Sequence, residues 1–161
     1  MKQISEEELL RIVLPEERYA VDLKLYEYGQ GVSARCLTLA LSGIAAVGVF
    51  LQLLDKTVAL AAVTDWVFKA LLGASTIAFA ASAGFALLQH FFASSGMFHH
   101  IKSMKIASTD DPTLAQDLSE NLAVRQKKFT LSHLYLKATA SMLVLGAFLL
   151  GLAFIRLMIN L

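Results

Sequence analysis

Four histidines are the residues of this chain best equipped for chemistry: His90, His99, His100 and His133. An imidazole changes charge near neutral pH and ligates metals. His90 and His133 lie at similar distances from a turn signal at residues 109–110. If the two flanking segments pair as helices, the two rings come within about one turn of each other in height. Facing imidazoles at that level can ligate a b-type haem or relay protons. The same positions, close to a membrane boundary, also suit simple interfacial hydrogen bonding. His99 and His100 are neighbours in sequence, so on a helix their side chains diverge by about 100° and make a poor metal pair. A basic cluster, Arg125, Lys127 and Lys128, reads as a solvated helix face or as a contact for anionic headgroups or an acidic partner.

A second pattern concerns shape. Ala70, Ala74, Ala78, Ser82 and Ala86 recur at every fourth position, Ala147 and Gly151 share that spacing, and Ser42 and Ala46 repeat it. Helices in lipid gain little from hydrophobicity when they associate, so small side chains that let backbones approach carry the packing. The row is suited to packing inside one protomer, to a subunit interface, or to the wall of a narrow pore.

Signatures of catalysis are missing. The sequence holds no nucleophile elbow, no H-E-x-x-H, no phosphate-binding glycine loop and no paired-cysteine metal site. No residue is assigned a catalytic or metal-binding role, and no cofactor is called for. A net charge of +1 gives no electrostatic case for nucleic acid. The lone Cys36 cannot form an internal disulfide.

The elements that position these residues are three apolar runs. Cys36–Leu54, Ala70–Ile101 and Ala138–Ile155 carry no Asp, Glu, Lys or Arg over 19, 32 and 18 residues. A bilayer core of roughly 30 Å needs about 20 apolar residues in a helix. The chain is 57% hydrophobic with a mean hydropathy of +0.61, and 17% charged, against about 25% charged in ordinary soluble domains. No acid or base falls in the central third of an expected span, where transporters usually carry one. The fold class expected is all-α: an integral membrane protein with three transmembrane helices and a cytosolic antiparallel helical hairpin that extends spans two and three.

The expected divisions are an amphipathic lead-in over 1–32, spans over 33–54, 64–90 and 136–158, and the hairpin over 91–135. Ser5 and Glu8 form a capping box in the lead-in, and Gly29 and Gly31 suggest a break before the first span. Thr64 or Asp65 caps the second helix, with Trp66 at interfacial depth. Ser94-Ser95-Gly96 can bend it. Asp111 and Pro112 suit a cap and first residue for the next helix. Leu114, Leu118, Leu122, Phe129 and Leu136 form a helical stripe, matched by Met97, Ile101 and Met104.

Basic residues set the expected orientation. Residues 1–35 and 91–137 together hold eleven of the 14 Lys and Arg, and the opposite side holds three. The positive-inside rule then places the N-terminus and hairpin in the cytoplasm and the C-terminus outside; the membrane expected is a bacterial inner membrane. With no apolar run before residue 36, the first span is expected to insert as a signal anchor.

The function expected is a non-enzymatic membrane subunit, embedded in the lipid bilayer and assembling through small-residue faces with itself or with other membrane subunits. The alternative is a homo-oligomeric channel or membrane-permeabilising effector gated through the hairpin. A weaker alternative is a haem- or quinone-associated redox subunit.

Overall fold

The computed structural model describes residues 16–53, 65–107 and 112–159. It is all-helical. Helix α1 is Glu16–Leu53, α2 is Trp66–Ala107 and α3 is Ala115–Ile159, preceded by a 3₁₀ turn at Pro112–Leu114. All three are long and apolar enough to cross a membrane. Their 38, 42 and 45 residues correspond to roughly 57, 63 and 68 Å of rise. Each is about twice the hydrocarbon thickness.

The chain forms two compact units. The first comprises Val32–Leu88 and Tyr135–Leu161, and we call it the apolar unit. The second comprises Met1–Gly31 and Gln89–Leu134, and we call it the polar unit.

A seven-residue repeat underlies both. Along α2 the inward positions are Phe68, Leu72, Ser75, Phe79, Ser82 and Ala86 in the apolar unit, then Gln89, Ala93, Gly96, His100 and Ser103 in the polar unit, all buried. The steps alternate four and three. On α1, buried Ser33, Ala40 and Val47 are seven apart, as are Ser132, Thr139, Gly146 and Ala153 on α3. This 3.5-residue period keeps one seam of each helix facing its neighbours and is the spacing of left-handed coiled-coil packing.

Inside the apolar unit, Val47, Phe68, Leu72, Ala153 and Leu157 form a cluster, with Phe50, Leu71 and Leu150 against it. Phe50 meets Phe68 and Phe154 at centroid distances of 6.4 and 5.9 Å. The outer surface is at least as apolar as the inside: Leu39, Leu41, Val49, Ile77, Val144 and Phe148 are all exposed, while Ser75, Ser82 and Thr139 are fully buried.

Several local expectations meet the structure directly. Asp65 caps α2, its Oδ1 accepting from the amides of Val67 at 2.9 Å and Phe68 at 3.3 Å. Gly29 and Gly31 do not break α1, which runs through them. A helical glycine costs about 1 kcal/mol relative to alanine. Interhelical bonds on either side hold the helix in place: Tyr26 Oη with Ser94 Oγ in the polar unit, and Ser33 Oγ donating to the Ala86 carbonyl in the apolar unit. Ser94-Ser95-Gly96 likewise lies within an unbroken α2. Of the expected stripe on that helix, Met97 is buried but Ile101 is 53% exposed, because the seam follows His100 and Ser103 instead. The capping box at Ser5 and Glu8, the links at 54–64 and the cap at Asp111 lie outside the described residues.

Candidate functional site

The inward seam of α2 carries polar groups at heptad spacing, and three successive ones meet α3. In the apolar unit, Ser75 Oγ donates to the Gly146 carbonyl at 2.8 Å and Ser82 Oγ donates to the Thr139 carbonyl at 2.9 Å. In the polar unit, Gln89 Nε2 donates to Ser132 Oγ at 3.2 Å. Each donor is seven residues from the next along α2, and each acceptor is seven from the next along α3 in the opposite sense. Hydroxyls and amides act here as local glue between helices, worth about 0.6 kcal/mol each on average in membrane proteins.

The polar unit adds a paired-histidine arrangement. Asn121 Nδ2 donates to the Asp117 carbonyl at 2.7 Å, which turns its Oδ1 toward His99 Nδ1 at 3.0 Å. An amide oxygen only accepts, so His99 donates from Nδ1. His100, fully buried, takes the opposite role: its Nδ1 stands 2.9 Å from Arg125 Nη1. A guanidinium only donates, so this nitrogen accepts and the ring is the neutral Nε2–H tautomer. The neighbouring imidazoles diverge, as helical geometry requires, and bind different residues of α3. Ser103 Oγ donates to the His99 carbonyl at 2.6 Å.

The other expected positions separate. His90 is half-buried and His133 exposed, and the layer at that height is occupied by the Gln89–Ser132 hydrogen bond. Among the described residues no His, Cys, Asp and Glu cluster could hold a metal ion. The basic trio does not form one solvated face. Arg125 turns inward to His100, Lys128 Nζ lies 5.1 Å from the centroid of the Phe92 ring, and Lys127 is exposed.

The small-residue row divides as well. Ala78, Ser82 and Ala86 are buried in the apolar unit, whereas Ala70 and Ala74 are exposed. Four residues turn a helix by 400°, so a row at that spacing drifts about 40° per step and about 160° from Ala70 to Ala86. Ala147 and Gly151 are exposed on α3, with open space around the position of a Cβ on Gly151. On α1 the exposed residues include Ala34, Thr38, Ser42 and Ala46, again four apart. Thr38 returns its hydroxyl to the Ala34 carbonyl at 3.0 Å, so its methyl and backbone form the outer surface.

One ion pair anchors the other end of the apolar unit. Arg156 Nε lies 2.8 Å from Asp65 Oδ2, joining the last turns of α3 to the cap of α2. Desolvation raises the Asp65 carboxyl. The hydrogen bond from Arg156, the amides of Phe68 and Val67, and the guanidinium charge outweigh it and hold the carboxyl below its usual range.

The sequence alone sets His100 aside only as half of a poor metal pair and gives no role to Asn121 or Ser132. The available signal was the sevenfold spacing of Ser75, Ser82, Gln89, Gly96 and Ser103 on one segment and of Arg125, Ser132, Thr139 and Gly146 on the other. Compared with protein-family models, curated proteins and solved structures, the chain matches none.

Proposed function

We propose that this chain is a non-enzymatic membrane subunit that assembles through the small-residue faces left on the outside of its apolar unit. The observation that carries the reading is the outward row Ala34, Thr38, Ser42 and Ala46 on α1, with Ala147 and Gly151 on α3. Such faces let a further helix approach closely, and backbone proximity drives helix association in lipid. Membrane insertion is supported by the apolar outer surface with hydroxyls buried inside, an arrangement that favours lipid over water as the solvent. The excess of Lys and Arg in residues 1–35 and 91–137 supports a cytoplasmic N-terminus and hairpin, in a bacterial inner membrane.

The test is native mass spectrometry of the protein gently extracted from its own membrane, alongside Ser42→Leu and Gly151→Leu. A homo-oligomer or a mixed complex that the variants dissociate supports the proposal. A monomer under every condition overturns it. Protease cleavage near Asp110 from the cytosolic side supports the orientation, and cleavage only from outside refutes it.

A channel formed between copies is the second reading, supported by the exposure of the Ser42 and Ser141 side chains on the outer surface of the apolar unit. A path inside one chain has less support, because the buried hydroxyls of Ser75 and Ser82 are engaged by backbone carbonyls. Ion flux through reconstituted liposomes, altered by Ser141→Leu, distinguishes a channel from a passive subunit.

A further inference from the structure

The polar unit holds two buried amide atoms of opposite character. Gln30 Nε2, a donor, and Gln89 Oε1, an acceptor, are both shielded from solvent without a hydrogen-bond partner. Their positions correspond. Tyr26 meets Ser94 across α1 and α2, and one helical turn further along the antiparallel pair brings Gln30 level with residues 89–90. Gln30 is also four residues beyond Tyr26 on the inward side of α1, and Gln89 lies on the buried seam of α2. On α3, Ser132 accepts from Gln89 Nε2 and retains its own hydroxyl proton to donate.

A donor and an acceptor that do not meet each other at one level require a molecule that both accepts and donates. Buried polar groups in folded proteins are almost always satisfied, and where the protein does not supply the partner, ordered water does. Neither atom carries charge, and no ionised side chain is among the three groups, so an ion is disfavoured. A water needs two to four polar partners, and Gln30, Gln89 and Ser132 supply three. We propose that Gln30, Gln89 and Ser132 form a binding site for one structural water, which accepts from Gln30 Nε2 and donates to Gln89 Oε1.

The test uses the full chain in lipid nanodiscs with ¹⁵N-labelled glutamine side chains. Magnetisation transfer from water to the Gln30 side-chain amide is expected in the wild type and should be lost in Gln89→Met. Assignment rests on disappearance of the signal in Gln30→Met. A high-resolution density map should show a peak within about 2.7–3.2 Å of both amide atoms. A direct contact between the Gln30 and Gln89 side chains, or a Gln30 amide without water transfer in the wild type, overturns the proposal. Because both readouts come first from the wild type, a variant that fails to fold does not blunt the result.

Discussion

The Phe79 ring occupies the space in which a side chain on Gly146 would begin: a Cβ there would stand 2.9 Å from Cδ1 and Cε1. At the tip of the same ring, a Cβ on Gly43 would come within 2.7 Å of Cζ. One aromatic side chain of α2 is therefore seated in notches cut by glycines on both other helices of the apolar unit. Gly146→Ala should destabilise the protein by about 1–3 kcal/mol, the range for overpacking a well-filled interior. Thermal unfolding in detergent measures it. Gly151→Ala, which meets nothing within 4 Å, should leave the same midpoint unchanged or raise it slightly through alanine's better helix propensity, and equal losses at the two glycines would contradict this packing.

The ion pair at Asp65 makes stability depend on pH in one direction. Its carboxyl is held below the ordinary value of 3.8 in the folded state, so the fold favours the charged form. The resulting stabilisation is present above that ordinary value and disappears as pH falls through the folded one. A melting midpoint followed from neutral pH downward should be level with respect to this group until the acid range, then decline. Asp65→Asn retains a good helix cap but not the charge, and should remove this acid-range component. An unchanged acid profile in Asp65→Asn would show that other carboxylates govern it.

His99 and His100 should display opposite tautomers. Long-range ¹H–¹⁵N spectra are expected to show a protonated Nδ1 on His99 and an unprotonated, acceptor-type Nδ1 on His100. Identical Nδ1 signatures would refute the hydrogen-bond directions inferred from Asn121 and Arg125. In Arg125→Met the buried His100 nitrogen loses its donor, a change that costs about 1–3 kcal/mol. Arg125→Lys should recover part of that loss, since an ammonium also donates.

The hydroxyl ladder should be individually weak. Ser75→Ala and Ser82→Ala are each expected to lower stability by about 0.6 kcal/mol. The carbonyls of Gly146 and Thr139 keep their places in the α3 helix, so no acceptor is stranded. Differential unfolding of the single and double variants tests this, and a loss of several kcal/mol from either single change would assign the hydroxyl a larger role.

Much of the fold was legible because lipid-length helices leave an unambiguous record. Runs without Asp, Glu, Lys or Arg located the three long helices, and a lone acid beside Trp66 marked the α2 cap. The packing seam was harder to read. Ala70–Ile101 carries no Asp, Glu, Lys or Arg, so the charge contrast that normally separates inside from outside is missing, and small size is the conspicuous cue instead. The fourfold row Ala70, Ala74, Ala78, Ser82 and Ala86 was conspicuous, yet its drift around the helix exposes its first members. The operative pattern mixes Phe, Ser, Ala, Gln, Gly and His at alternating steps of four and three, and it is visible only when spacing is followed without regard to residue type. The polar partners of His99 and His100 depended on which α3 residues face them, which no single segment encodes.

The seat of Phe79 also governs alignment. Sliding α1 by seven residues, about 10.5 Å of helical rise, would carry one seam residue onto the next and leave the repeat Ser33, Ala40, Val47 formally in phase. At the position of Gly43, however, the shifted helix would present Cys36 or Phe50 to the ring. Neither can make room for it. Heptad repetition, which by itself permits several equivalent settings, is reduced to one by a single ring that fits in only one place.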